Sequence, residues 1–168
     1  NINTDLIAGL PTDTPESFKN SLDSIVRLNA ECITVHTLCM KRASRLTTEG
    51  VTLDLQQARD AREMLAYTQN ILGQNEYIPY YMYRQSRMVG NLENVGWSKK
   101  GFESLYNVYV MDETHTILAC GSGGVTKLKR NNPDYLERIF NFKYPYEYID
   151  RFDELIQRKS GIMQFYGQ

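Results

Sequence analysis

The sequence contains little cysteine and no cysteine motif. Three cysteines, Cys32, Cys39 and Cys120, occur in 168 residues, and none are spaced as CxxC or CxxxCxxC. An odd number of widely separated cysteines does not predict a secreted disulfide framework. The same spacing excludes a complete iron–sulfur or zinc motif within this stretch, so we expect no metal ligands here. A reducing, cytoplasmic location is the simplest interpretation.

Long apolar runs and strong charge are also missing. No apolar run approaches the roughly 20 residues that span a bilayer, and no signal peptide is visible. A net charge of −1 argues against general nucleic-acid binding, which requires cations to neutralise phosphates. The hydrophobic content of 42% is typical of a globular protein.

The chain also lacks an initiator Met and any polar lead-in before its first apolar run. Residues 2–8 predict a buried strand, and residues 9–11 end it. A natural domain rarely begins inside such a strand. We therefore expect the back part of a larger α/β protein, with much of its chemistry upstream.

The first forty residues predict a βαβ unit. Thr14 is a typical N-cap, Pro15 follows at the first helical position, and apolar residues then recur at helical spacing. Residues 32–38 predict the second strand. Strand, helix and strand in this order are typical of a parallel sheet covered by helices.

The rest of the chain predicts less regular elements. A polar loop at 40–50 precedes a helix that Asp54 caps and Gly73 ends. Pro79 predicts an edge position for an extended aromatic segment at 77–87. The remaining predictions are turns at 90–101, a strand at 104–111, a helix at 112–119, a tight turn at 120–124, a strand at 125–130, and helices at 133–140 and 146–159. We group these elements into three segments: two βα units at 1–73, an antiparallel β extension at 74–130 and a helical tail at 131–168.

Two side chains near the predicted strand ends are candidates for chemistry, because ligands collect at the carboxyl ends of parallel strands. Asp5 would hold a hydroxyl, amine or cationic group of a ligand, or it is a structural carboxylate bonded to backbone. His36 is a general acid or base near pH 7, or a packed core histidine. Cys39 would place a small side chain or its backbone against a ligand.

Aromatic and glycine-rich stretches supply the other candidates. The run at 80–85 predicts an apolar pocket in which Tyr83, Arg84 and Gln85 contact the substrate. Arginine would bind an acid group of that substrate. The alternative is a Tyr-rich face of a sheet. Gly121 and Gly123 form an incomplete phosphate-loop pattern that more simply allows a tight turn or the close approach of a flat ligand.

Several motifs together resemble the oxygen-independent coproporphyrinogen III oxidase family of radical S-adenosylmethionine enzymes. The most specific has the form DLIxGLPxxTxESF and begins at Asp5. Further segments are similar to the HemZ-type branch of that family: VHTL at 35–38, KRAS at 41–44, PYYMYRQ at 79–85, GNLENVG at 90–96 and YN at 106–107. The resemblance covers nearly the whole chain.

The resemblance implies a fold and a reaction. It implies the C-terminal part of a partial (β/α)6 barrel, of which this chain holds the last two βα units. It also implies S-adenosylmethionine and a [4Fe–4S] cluster in the full enzyme, although the CxxxCxxC ligands of that cluster are absent from this sequence. The full enzymes receive an electron from a donor and generate a 5′-deoxyadenosyl radical. They convert propionate side chains of a porphyrinogen to vinyl groups with loss of carbon dioxide, a step of haem biosynthesis.

The resemblance assigns three residues to the cofactor. Asp5 matches the family's S-adenosylmethionine-binding carboxylate, Cys39 matches a small residue after the sixth strand, and Val125 matches an apolar residue near the cofactor. No family role transfers to Tyr83, Arg84 or Gln85.

Two other functions remain open from the sequence. W-type relatives that share DLIxGLP imply a haem-binding chaperone, with His36 or His115 as candidate axial ligands, although the HemZ-like segments count against it. The third possibility is an inactive fragment that binds neither ligand. In each case an exposed sheet edge invites self-association.

Overall fold

The computed structural model describes residues 1–40, 44–50, 54–84, 88–131 and 134–167. The chain forms two compact units, Asn1–Leu105 and Tyr106–Gln168. Each unit contains both helices and strands, so the predicted mixed α/β class is confirmed. The division into three segments stays a prediction. No described helix combines the length and the apolar composition that a bilayer-spanning segment requires.

A four-stranded sheet forms the centre of the first unit. Its strands are β1 (Asn3–Ala8), β2 (Cys32–Thr37), β3 (Tyr77–Tyr83) and β4 (Asn94–Lys99). They lie in the order β1-β2-β4-β3. The β1 and β2 strands are parallel, whereas β4 runs antiparallel to both of its neighbours.

Two capped helices cover one side of this sheet. The first, α1 (Pro15–Leu28), begins with a capping box in which the Thr14 side chain accepts from the backbone N–H of Ser17. The second, α3 (Leu55–Gln74), begins with the same arrangement between Asp54 and Gln57. Such caps satisfy backbone donors that have no partner within the helix. Both predicted helix starts are confirmed, and α3 extends one residue beyond the predicted end at Gly73.

The core of the first unit lies between these helices and the sheet. Its central residues are Ala8, Phe18, Leu22, Ile33, Val35, Met64, Leu72, Tyr77 and Trp97. Strand residues alternate between the two faces of a sheet, so the residues between these core positions project to the opposite side. The strands β1 and β2 are parallel, and α1 lies between them in the chain, so the predicted βαβ unit is confirmed.

Three predictions between residues 40 and 111 are wrong, two in the first unit and one mostly in the second. Residues 90–101 were predicted to form turns, but they contain the central strand β4, which follows a short 3₁₀ turn at Val89–Asn91. Gly96 lies within this strand, where it leaves room for Tyr81 of β3. Residues 104–111 form most of α4 (Leu105–Asp112) instead of a strand. A short helix, α2 (Arg45–Thr48), begins at the Ser44 cap inside the predicted loop.

Pro79 was expected on an edge strand, and this prediction is confirmed. The strand β3 lies at one edge of the sheet and β1 lies at the other. Proline has no backbone N–H, and it is tolerated on an edge strand because the side that lacks the donor can face away from the neighbouring strand.

The second unit is built on a hairpin of β5 (Val125–Asn131) and β6 (Asp134–Phe140). Three short helices follow it: α5 (Pro145–Asp150), α6 (Phe152–Lys159) and α7 (Gly161–Tyr166). The predicted strand at 125–130 and the turn at 120–124 are confirmed.

The helices predicted in this unit differ from the observed elements. Residues 134–140 form β6, because pairing with β5 along the whole strand outweighs a local helical pattern; Pro133 lies outside the described residues. Residues 113–119 form no helix. The helix predicted at 146–159 is divided at Arg151, whose backbone leaves the helical region (φ −115, ψ 34), and a further helix begins at Gly161, beyond the predicted end at residue 159.

Candidate functional site

Six polar or aromatic side chains lie together on the side of the sheet opposite the helices. We call this set the polar face; its residues are Asn3, Asp5, Thr34, His36, Tyr81 and Tyr83. They come from three strands, and contacts join each of them to a neighbour in the set. Asn3 and Asp5 are exposed, so a ligand can reach this surface.

His36 joins Asp5 to Tyr83. Its Nε2 lies 3.4 Å from Asp5 Oδ1, and its Nδ1 lies 3.3 Å from the hydroxyl oxygen of Tyr83. The pair is partly exposed, with 58% of the Asp5 side chain accessible, so the contact contributes at most about 1 kcal/mol to stability. Its main effect is to orient the imidazole ring and the carboxylate.

The contacts of His36 fit a neutral imidazole that carries its proton on Nε2. In that tautomer Nε2–H donates to the Asp5 carboxylate, and Nδ1 accepts from the Tyr83 hydroxyl. Burial raises the pKa of Tyr83; its hydrogen bond with Asn94 partly opposes this rise, and the negative charge of Asp5 adds a smaller increase. Tyr83 therefore remains a hydrogen-bond donor at neutral pH.

Asn3 also contacts Asp5, and Thr34 holds Asn3. The Asn3 amide nitrogen donates to Asp5 Oδ1 at 3.2 Å, and the Thr34 hydroxyl donates to Asn3 Oδ1 at 3.2 Å. Thr34 is opposite Asp5 in the parallel register. His36 and Asn3 therefore contact the same carboxylate oxygen, Oδ1, and the exposed side chain can still be reached by a ligand.

Tyr81 and Tyr83 form the aromatic end of the polar face. Their rings are nearly parallel, with centroids 6.2 Å apart and an angle of 8°. The Tyr81 hydroxyl lies 3.3 Å from Thr34 Oγ1, and burial raises the pKa of Tyr81. The pair presents an aromatic surface with hydroxyl donors beside a carboxylate.

Cys39 lies where the two parallel strands end. It forms an isolated antiparallel bridge with Met88 just after β2, and it is partly buried. Cys39 follows β2 by two residues, and β2 pairs with the strand that contains Asp5. Its predicted contact with the cofactor stays a prediction.

Arg84 is not part of the polar face. Its guanidinium pairs with Glu93 at 2.6 Å, and both side chains line a cavity on the helix-covered side, together with Trp97. The cause is strand geometry, since consecutive residues project to opposite sides. Tyr83 and Arg84 therefore lie in two separate environments, and Gln85 lies outside the described residues. Their predicted contact with substrate stays a prediction.

The remaining predicted cofactor contact, Val125, begins β5 in the second unit. It pairs with Phe140 and is partly buried. Its role stays a prediction.

The described residues do not fit an iron–sulfur cluster. None of the three cysteines is in a disulfide, and the described parts of the chain contain no group of three or more His, Cys, Asp or Glu side chains that could hold a metal ion. We therefore derive no step through a cluster held by this chain.

Sequence reasoning missed Asn3 and Thr34 and left His36 between two roles. The available signal was alternation, because Asn3 and Asp5 are two residues apart, as are Thr34 and His36. Had the two strands been placed in register, these residues would have shared one face. The antiparallel placement of β4 beside β2 carried no comparable sequence signal.

Comparisons with known proteins agree with this fold. No family model matches the chain. The chain is 37% identical over 164 residues to the oxygen-independent coproporphyrinogen-III oxidase-like protein HemZ of Bacillus subtilis, covering 98% of this chain and 33% of that protein. The chain thus spans about a third of the length of this curated relative. Its structure is similar to that of coproporphyrinogen III oxidase (HemN) from Escherichia coli, described as a radical SAM enzyme, with a TM-score of 0.53 and 17% identity over 90% of this chain and 34% of that one.

Proposed function

Because the chain belongs to the oxygen-independent coproporphyrinogen III oxidase family, we propose that it supplies one wall of the active site in a longer radical SAM oxidoreductase. In this proposal β1 and β2 are the last two strands of a partial (β/α)6 barrel, and the polar face is directed to its interior. The proposed reaction is oxidative decarboxylation of porphyrinogen propionates to vinyl groups in haem biosynthesis. The proposed location is cytoplasmic.

The polar face is the observation that supports this proposal. Asp5 belongs to the DLIxGLP motif on which the resemblance depends, and its side chain remains accessible within a parallel strand, three residues before the end of that strand. A carboxylate accepts hydrogen bonds from hydroxyl or ammonium groups, and S-adenosylmethionine has both. Asp5 is thus proposed to bind this cofactor, with Cys39 and Val125 as further contacts.

The neighbours of Asp5 have supporting roles in this proposal. His36 and Asn3 hold the carboxylate in one orientation. The rings of Tyr81 and Tyr83 offer a flat surface, which suits a planar pyrrole or adenine. Their hydroxyls are protonated at neutral pH. While each donates to His36 or Thr34, its oxygen can still accept a hydrogen bond from the ligand.

Bound S-adenosylmethionine would supply, on one-electron reductive cleavage, a radical that takes a hydrogen atom from the propionate side chain; an electron acceptor would take the remaining electron as carbon dioxide leaves. The [4Fe–4S] cluster that delivers the electron would be held by the rest of the longer protein, which would also receive that electron from a donor protein. The 168-residue chain by itself is therefore proposed to be inactive.

A chimera tests the proposal. This chain replaces the matching segment of the Bacillus subtilis relative, and the product is supplied anaerobically with coproporphyrinogen III, S-adenosylmethionine and a reductant. We expect protoporphyrinogen IX by chromatography, and no product from the 168-residue chain alone. Decarboxylation by the isolated chain would contradict the proposal, as would a chimera that cleaves S-adenosylmethionine without decarboxylating the substrate.

The haem-chaperone alternative is less well supported by the geometry. Both ring nitrogens of His36 already have partners, Asp5 and Tyr83, so an axial iron bond would displace one of them. His115 contacts Thr114 through Nδ1 and packs against Tyr109. Haem retained in a one-to-one ratio by the chimera, without decarboxylation, would favour the chaperone and overturn the oxidase proposal.

A further inference from the structure

Asn94 is a buried polar residue beside the polar face. It is the first residue of β4, it is 2% exposed, and it lies opposite Tyr83 in the antiparallel register of β3 and β4. Residues opposite each other in a sheet project to the same side, so the Asn94 amide lies on the side that carries Tyr83 and His36. A buried amide requires partners for both its oxygen and its nitrogen.

A backbone donor fixes which way the Asn94 amide points. The regular pairing of β2 with β4 ends at Val35 and Val95. Beyond it, Asn94 Oδ1 accepts the backbone N–H of Thr37 at 2.7 Å. Rotating the amide by half a turn would place its NH₂ group against that N–H, with two donors facing each other. The oxygen therefore stays on Thr37, and the nitrogen, which can only donate, is the atom left for Tyr83.

The direction of this hydrogen bond determines the next two. Burial raises the pKa of Tyr83, and the hydrogen bond with Asn94 partly opposes the rise, which is the effect of a donor to the phenol oxygen. The Tyr83 proton is then directed to His36 Nδ1, 3.3 Å away. A ring nitrogen that accepts carries no proton, so the neutral imidazole has its proton on Nε2, which lies 3.4 Å from Asp5 Oδ1.

We call Asn94, Tyr83 and His36 the Asn94 network, and it has two effects on Asp5. A neutral imidazole leaves the charge of the Asp5 carboxylate uncompensated, so the polar face favours a cationic group of a ligand. Asn3 and His36 both contact Oδ1, so among the described residues these contacts leave Oδ2 for that ligand. An imidazolium at His36 would instead pair with Asp5 and compete with a cationic ligand.

We propose that Asn94 is a positioning residue for the ligand of Asp5. Its oxygen accepts from the Thr37 backbone, and its nitrogen donates to Tyr83. Tyr83 in turn keeps His36 neutral, with the imidazole proton on Nε2 and directed at Asp5. Only the identity of the ligand, S-adenosylmethionine with its ammonium group, rests on the proposed function.

A nitrogen spectrum of the 168-residue chain tests the network without any ligand. The chain has two histidines, and His115→Gln identifies the signals of His36. Long-range proton–nitrogen correlations distinguish ring nitrogens that carry a proton from those that do not. We expect a protonated Nε2 and an unprotonated Nδ1 in His36 at about pH 8. A protonated Nδ1 would overturn the proposal, and this measurement requires no substitution at Asn94 that could prevent folding.

Variants of the chimera test whether Asn94 acts through Tyr83, with calorimetry of S-adenosylmethionine binding as the measurement. Asn94→Leu and Tyr83→Phe should each weaken binding about fivefold through loss of one hydrogen bond of the network. The double variant should bind as tightly as Tyr83→Phe alone, because Asn94 cannot act on His36 once the phenol hydroxyl is absent. The control Thr68→Val removes a buried hydrogen bond to Met64 on α3 and should leave the affinity unchanged.

The two experiments separate this proposal from the proposed function. A folded Asn94→Leu chimera that binds as tightly as the unsubstituted chimera would overturn the positioning role, as would additive losses in the double variant. If no form of the chimera binds S-adenosylmethionine, the proposed function fails instead, and the nitrogen spectrum of His36 still decides whether the network exists.

Discussion

The ring of Tyr81 lies directly over the backbone of Gly96. A Cβ atom built on Gly96 would stand 1.8 Å from Cε1 of Tyr81 and 2.4 Å from Cδ1. No side chain fits in that space, so glycine at position 96 is what allows the aromatic residue of β3 to lie flat across β4. The same contact places the Tyr81 hydroxyl beside Thr34 on the polar face.

Gly96→Ala should therefore destabilise the first unit and displace Tyr81. Forcing a methyl group into a filled space costs about 1–3 kcal/mol of unfolding free energy. Urea denaturation measures this loss. Combining Gly96→Ala with Tyr81→Ala should give less than the sum of the two single losses, because the second substitution removes the clash.

A matched control is available on α3. A Cβ on Gly73 would meet no atom within 4 Å, so Gly73→Ala should stabilise the helix by about 0.5–1 kcal/mol. Equal effects of the two glycine substitutions would contradict the close approach of Tyr81 to Gly96.

The tyrosines of the polar face predict a loss of stability in alkali. Burial raises the pKa of Tyr81 and of Tyr83 above the ordinary value of 10.0. Above pH 10 the unfolded chain loses phenolic protons that the folded chain retains, so the free energy of unfolding falls as pH rises toward the folded pKa values. Below pH 10 this contribution is fully present.

Tyr83→Phe should reduce that alkaline slope, whereas Tyr106→Phe at an exposed position should not. Urea denaturation at a series of pH values from 8 upward, with phenolate absorbance followed in parallel, measures both. A slope unchanged by Tyr83→Phe would show that this phenol is not buried in the folded state.

Glu113 predicts the opposite behaviour in acid for the second unit. Lys127 and Arg138 each lie 2.7 Å from Glu113 Oε1, and their hydrogen bonds lower its pKa below the ordinary 4.5. The stability that the network contributes is present above pH 4.5 and is lost as pH falls through the lowered pKa.

Glu113→Gln should thus lower the free energy of unfolding by less than about 1 kcal/mol near pH 7, because the group is partly exposed. In strong acid this difference from the wild-type chain should vanish. Glu137→Gln, on the neighbouring strand β6, is the control and should show no such pH dependence. If the wild-type chain and Glu113→Gln differ by the same amount at pH 7 and pH 3, the ion pairs are not the cause.

The exposed edge at β1 predicts self-association of the isolated chain. This strand pairs only with β2 in the described sheet, and unpaired strand edges recruit further strands. Light scattering should show oligomers that increase with concentration, and Ile7→Lys, which puts a charge on the edge strand, should reduce them. A strictly monomeric wild-type chain at high concentration would contradict this prediction.

Local signals in the sequence predict the first half of the fold well. Thr14 and Asp54 mark the helix starts because a cap depends on a few adjacent residues, and Pro79 marks an edge through its missing donor. The errors concern elements that depend on distant partners. Residues 134–140 become a strand because β5 lies beside them, and β4 exists because β2 and β3 both pair with it.

In the candidate site, too, local features are predictable from the sequence and contacts between distant residues are not. Asp5 is predictable from its motif, but its contact with His36 depends on the parallel register of β1 and β2. Arg84 is adjacent to Tyr83 in sequence, yet alternation along the strand sends it to the other side of the sheet, where Glu93 pairs with it. Sequence adjacency could not distinguish these two environments.

The most direct test concerns Asp5 and S-adenosylmethionine. The affinity of the chimera for this cofactor is measured by calorimetry with Asp5→Asn and with the control Asp60→Asn, which retains an acceptor for Gln56 on α3. We expect Asp5→Asn to weaken binding at least about tenfold, as expected for loss of a charge-assisted hydrogen bond, with Asp60→Asn unchanged. Equal affinity for the two variants, with both proteins folded, would contradict the assignment of the polar face to the cofactor.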